Sequence, residues 1–255
     1  MEAMLNDPLS VLILSHADDK LMLGHMQSDW TGLGPILEED IASSAMAQDD
    51  LSHALTLYEF LGNQHDLDPD VIAFERAPED YACCDLVTQS DEFDWASSVV
   101  KRWLMATFMK LAIERLSAIE NVNDLSARCG RILPEQQLQV DHLQGWISRL
   151  CSGGSEARER IQTALDRLAP SVGMVMEIPG HRLPEDEEFC CGRDELFGQW
   201  TSQLQTKLDE TGLNASFSLP NRGVRGGRRG QHADHFHEQL AEMTEVRRIE
   251  PGASW

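Results

Sequence analysis

Asp50-Leu51-Ser52-His53 sets a carboxylate three residues before an imidazole, a spacing that puts both on one face of a helix. Helical bundles build di-metal centres from such pairs, with a Glu from each of two helices and Glu-x-x-His from each of two others. Glu38, early in the same predicted helix, and Glu135, two long helices further on, are the remaining candidate ligands. The set is degenerate. No carboxylate lies between Asp94 and Glu114, and Glu135 is followed at three and four residues by Leu138 and Gln139, neither of which replaces an imidazole on iron. A second group, His232 to Glu238, holds enough donors for a zinc or iron half-site, with His235 and Glu238 on one helix face. It also opens the last predicted helix, where Asp and His serve as caps or interface groups. A third is the basic loop Arg222 to Gly230. Its Arg225, Arg228 and Arg229 suit an acidic partner surface or the phosphates of an acyl-CoA, unless the loop is simply solvated; His232 and His235 follow it closely.

Helices must position these groups. Apolar residues recur at helical spacing throughout, with no alternating β-branched runs, so the class is all-α. Long helices are expected over about Pro8–Trp30, Pro35–Leu61, Asp91–Ile119, Asp124–Cys151 and Glu156–Met176. Short helical pieces fall near Asp70–Arg76 and Tyr81–Val87. Pro8 and Pro35 suit first turns, Asp91 and Glu92 suit a helix start, and Asp124 suits an N-cap. Pro134 is expected to kink or break the fourth long helix and Pro170 to bend the fifth. After an irregular acidic stretch, helices follow over Arg193–Thr211 and Ala233–Arg247. The sequence predicts one domain over residues 1–255, with a bundle core at about 8–176 and a C-terminal helical extension at about 193–255.

Composition excludes several functions. The net charge of −22, from 43 acidic against 21 basic residues, repels nucleic acid. No apolar run approaches the roughly 20 residues that span a bilayer, and no secretory signal is visible, so the expected address is the cytoplasm. The six cysteines include the pairs Cys83-Cys84 and Cys190-Cys191 and no C-x-x-C; they read as reduced thiols. Neither a P-loop nor a dinucleotide fingerprint is present.

The run Trp30-Thr31-Gly32-Leu33-Gly34-Pro35-Ile36-Leu37-Glu38-Glu39-Asp40-Ile41-Ala42 resembles the W-x-G-x-x-P-x-L-E-x-D-[IL]-A segment of PaaC-type subunits of bacterial ring-1,2-phenylacetyl-CoA epoxidases. Supporting matches run in order through Ala73-Phe74, Arg76, Phe93, Gly145-Trp146, Arg149-Leu150, Gly226 to His232, His235, Leu240 to Met243, Pro251-Gly252 and Trp255. The resemblance covers nearly the whole chain and implies a ferritin-like bundle. It also implies a non-catalytic subunit in phenylacetate degradation, with no cofactor in this chain. A related ferritin-like partner would carry the di-iron centre and, with other subunits, epoxidise the ring of the acyl-CoA substrate. Against the family pattern, Ala106 stands where an aspartate is usual, Gln139 where the E-x-x-x-H histidine is, and Gln48 to Leu55 where the family has L-D-L-L-G-Q-A-R. This is a divergent member. Two other readings compete: an active di-iron oxygenase using Glu38, Asp50, His53 and Glu135, and a stand-alone acyl-binding module.

Overall fold

The computed structural model describes residues 1–90, 93–184, 192–220 and 224–250, and among them every regular element is helical. The chain is all-α, consistent with a ferritin-like bundle. It divides into two compact units, one from Met1–Gln89, Pro179–Pro184 and Arg225–Trp255, the other from Ser90–Ile178 and Glu185–Val224.

In the first unit, a short α1 (Glu2–Leu5) precedes α2 (Pro8–Ser28). Asp7 caps α2, accepting from the Ser10 amide at 2.8 Å. Helix α2 is buried on all sides from Ser10 to Gly24, as its lack of a polar face requires. Helix α3 (Leu37–His65) carries Glu38, Glu39 and Asp40 in its first turn, favourably placed against the positive helix end. It ends with Asp66 left-handed at φ 53°. Gly62 lets the chain turn there, because a Cβ would lie 2.6 Å from the Leu67 carbonyl oxygen. Ser10 bonds His65, Lys20 pairs with Asp50, and Gln27 bonds the Ser43 carbonyl, so α2 and α3 run antiparallel. Short helices α4 (Pro69–Phe74) and α5 (Asp85–Thr88) follow, and α10 (Asp234–Met243) and α11 (Glu245–Ile249) complete the unit.

The second unit pairs α6 (Trp95–Ser117) with α7 (Asn123–Ser152), then adds α8 (Ser155–Val172) and α9 (Arg193–Thr211). Trp95 meets Trp146 edge-on at 5.7 Å, and Gln136 donates to the Ala106 carbonyl, making this pair antiparallel too. Helix α9 buries Leu196, Trp200, Leu204 and Leu208 at strict four-residue spacing; the Trp200 indole donates to Thr107 Oγ1 at 3.0 Å and packs on Phe108.

Several expectations change. Helix α7 passes through Pro134 without a break. The ring removes one amide and crowds the carbonyl four residues back, but that residue is Gly130, exposed and with open space where a Cβ would be. Helix α6 starts at Trp95 and is capped by Asp94, which accepts from the Ser97 amide at 2.8 Å; Asp91 and Glu92, expected at the helix start, lie outside the described residues. Asp124 falls inside the first turn of α7, so it supports the dipole instead of capping. Helix α5 begins only at Asp85, because Tyr81 to Cys84 are held extended by bonds from Ala82 and Cys84 to α2. The last expected helix is two pieces divided at Thr244, whose hydroxyl bonds the Leu240 carbonyl at 2.6 Å. The expected C-terminal extension is shared out: α9 belongs to the second unit, and residues from Arg225 onward to the first. Cys190, Cys191 and Pro251 to Trp255 lie outside the described residues. Among those described, no helix is long and apolar enough to cross a membrane.

Candidate functional site

Asp18, Asp19 and Lys20 are consecutive and buried in the middle of α2. Buried charge is tolerated only when it is paired and hydrogen-bonded, and each of the three has a different partner. Asp18 takes a two-oxygen grip from Arg76, a 2.7 Å bond from the Tyr58 hydroxyl and another from the Ala82 amide. Arg76 also donates to the Ile72 and Asp80 carbonyls and lies over the Tyr81 ring at 3.9 Å. Burial works against its charge, yet Asp18 holds its pKa above the ordinary arginine value. Burial pushes the Tyr58 hydroxyl well up, and neighbouring Asp18 adds to that. The phenol therefore serves as a donor and not as a base.

Asp19 binds Arg228 at 2.6 Å and accepts from the Cys84 amide at 2.8 Å. Burial raises its pKa while the Arg228 guanidinium and the Cys84 amide draw it back. Arg228 also donates to the carbonyls of Ser15 and Ala82. Lys20 Nζ lies 2.5 Å from Asp50 Oδ1, with both side chains buried. Beside them, burial drives the His16 imidazole down to about 3, with Arg228 adding to the effect, so it is neutral.

The sequence candidates separate accordingly. Arg228 and Arg229 correct the expectation of a solvated or partner-facing loop: both are buried, with Arg229 donating to the Leu183 carbonyl at 2.6 Å. The glycines allow this close packing. Gly227 donates to Asp85, the Gly180 amide donates to the Arg228 carbonyl at 2.7 Å, and left-handed Gly230 (φ 75°) leaves no room for a Cβ against the Glu79 carbonyl. Arg225 is exposed, while Arg222 lies outside the described residues. His232 stacks on Phe236 at 3.7 Å with Nε2 at 3.1 Å from the Tyr81 carbonyl, and burial lowers its pKa to about 4. His235 faces Glu238 at 3.4 Å near the surface. Glu38 and Glu135 are exposed, whereas Asp50 and His53 are buried. Glu38 and Asp50 are twelve residues apart on one helix, about 18 Å along its axis, so they cannot share a metal.

Ferritin-like helix pairs commonly cradle two irons, and the residues here do not fit that group. Among the described residues no three His, Cys, Asp or Glu side chains converge on a metal position. The buried Asp18, Asp19 and Asp50 carboxylates of the first unit already balance protein cations. In the second unit Gln136 and Gln139 are buried on α7, and Gln136 donates to Gln139 Oε1 at 3.3 Å as well as to the Ala106 carbonyl. This buried stretch of α7 holds neutral amides.

Asp18, Asp19 and Lys20 were passed over in the sequence, and Arg76 was met there only as part of the family resemblance. The signal was available: three adjacent charges inside a helix apolar on every face must be buried, and buried charges need partners.

The chain is 23% identical over 249 residues to the subunit lettered C of the 1,2-phenylacetyl-CoA epoxidase of Escherichia coli (strain K12), an alignment covering 97% of this chain and 99% of the relative. The family model for the phenylacetic acid catabolic protein matches residues 1–255. The chain belongs to the phenylacetic acid catabolic protein family.

Proposed function

We propose that this chain is a non-catalytic structural subunit of a phenylacetyl-CoA epoxidase-type complex in phenylacetate degradation, and that a related ferritin-like partner carries the di-iron centre. The observation that carries the reading is the Lys20–Asp50 pair: the carboxylate of the one Asp-x-x-His motif on α3 faces a protein ammonium at 2.5 Å. A cation fixed on the protein already compensates the carboxylate charge that would otherwise draw iron, and engages its Oδ1 as a hydrogen-bond acceptor. The amides of Gln136 and Gln139 on α7 support the same conclusion, as does the relative's name, which makes that protein one subunit of a larger enzyme. No step of oxygen chemistry is assigned to residues of this chain. Its contribution is helix surface that holds the catalytic subunit in its working shape, and an obligate interface of this kind buries about 2,000 Å² or more.

Reconstitution tests the reading. Phenylacetyl-CoA turnover should need both this chain and the di-iron subunit, and Glu135→Ala and Glu135→Gln should leave the rate of the assembled complex unchanged. Turnover by this chain alone, or a large loss in either variant, would instead make it the oxygenase. Tight binding of an acyl-CoA by the lone chain, with no partner requirement, would make it an acyl-binding module.

A further inference from the structure

Among the described residues, four exposed aliphatic side chains cluster around the start of α3. Leu33 is 58% exposed, Ile36 48%, Leu37 71% and Ile41 62%, all within nine residues at the start of α3. Leu51 and Leu55 continue the exposure. Residues 37, 41, 44, 48, 51 and 55 follow the 4-3-4-3-4 spacing of one helix face, so the stripe is aliphatic at both ends with Ser44 and Gln48 between. Such a clustered patch is unlike scattered surface leucines and marks an interaction site.

The patch is also held rigid. The Gly32 amide donates to Asp40 Oδ1, Leu33 donates its amide to the Trp30 carbonyl at 2.9 Å, and Thr31 bonds Ser44 at 3.1 Å. Gly34 fits flat on the helix, where a Cβ would come within 2.9 Å of the Asp40 backbone. Loop and helix thus form one preorganised surface, which lowers the ordering cost of binding.

Its charge selects the partner. Between Lys20 and Arg76 the sequence contains eleven Asp and Glu residues and neither Lys nor Arg. Glu38 and Glu59 are exposed on this helix, and Asp40 is half-buried at its first turn.

We infer that the Leu33–Ile41 turn and the outer stripe of α3 are the docking face for the catalytic subunit, engaged by a helix of that subunit presenting aliphatic side chains rimmed by Lys or Arg. The inference rests on the structural-subunit reading and names the surface it uses. Apolar burial supplies affinity, while the acidic rim sets orientation and speeds encounter.

Co-expression of the full chain with a tagged di-iron subunit tests it. Wild type should be retained, and Leu37→Asp/Ile41→Asp should weaken retention on the order of 100-fold while keeping wild-type circular dichroism and thermal midpoint, since both side chains already face water. Glu38→Lys should weaken binding less and flatten its salt dependence. Retention of wild type and double variant alike would place the docking face elsewhere and leave the subunit reading standing. Failure of wild type to be retained would overturn that reading and this inference together. A wild-type homodimer that the double variant converts to monomer, with partner binding intact, would assign the face to a second copy of this chain and refute the proposal.

Discussion

Replacing Arg76 by methionine removes the cation from the most enclosed charge in the first unit. The Asp18 and Arg76 side chains are both 0% exposed, so water cannot take over for the missing guanidinium. Asp18 would keep only the Tyr58 hydroxyl and the Ala82 amide, and the carbonyls of Ile72 and Asp80 would lose donors. Breaking a buried pair from one side costs about 3–5 kcal/mol. For a chain of this size that is a drop in midpoint of roughly 6–20 °C. The assay is urea unfolding followed by circular dichroism and tryptophan fluorescence, on Arg76→Met, Asp18→Leu and the double variant. The double variant should be less destabilised than the sum of the singles by about 2 kcal/mol or more, because neither charge is then left alone. It should not regain wild-type stability, since Tyr58 and the Ala82 amide lose their acceptor. A cost below about 1 kcal/mol for Arg76→Met, or singles that simply add, would show the pair to be solvated and the reasoning wrong.

Acid should weaken the protein through its buried histidines. His16 and His232 are held neutral down to about 3 and about 4, against about 6.5 in an unfolded chain. The unfolded state therefore takes up protons first, and stability is level above pH 6.5 and falls below it by about 1.4 kcal/mol per pH unit for each histidine. At pH 5 each contributes roughly 2 kcal/mol of loss; urea midpoints unchanged from pH 7 to pH 5 would contradict this. Arg228→Lys should behave as a disruptive change, since one ammonium cannot reach Asp19, Ser15 and Ala82 in the geometry of the planar fork. A loss of about 2 kcal/mol or more, with faster proteolysis after residue 224, is expected; wild-type protease resistance would refute it. Gly230→Ala, which combines a left-handed backbone with a carbonyl in the Cβ position, should cost more than about 1 kcal/mol by the same urea assay.

Helix periodicity revealed the class and most long elements, because a chain that buries one face or every face of a helix must repeat its apolar residues at that period. Arg193–Thr211 appears in the structure with the bounds its apolar spacing predicts. Boundaries were lost where tertiary bonds compete with local signals: Tyr81 to Cys84 are drawn out straight by Asp18 and Asp19, and nothing nearby in sequence encodes that. The Arg loop misled for a related reason. Gly-Gly-Arg-Arg-Gly reads as a flexible solvated turn, but its glycines serve close packing and Arg228 reaches back more than two hundred residues to Asp19. The Lys20–Asp50 pair was not legible, because predicting it requires knowing that α2 and α3 are antiparallel and in which register.

Iron content tests the central claim most directly. The chain should be purified alone and as a co-expressed complex with its ferritin-like partner, and metal measured on the same gel-filtration peaks. The structural reading predicts iron in the mixed peak and far less than one iron per molecule in the lone chain. About two irons bound to the lone chain, the complement of a ferritin-like di-iron centre, would contradict it and make this subunit the enzyme.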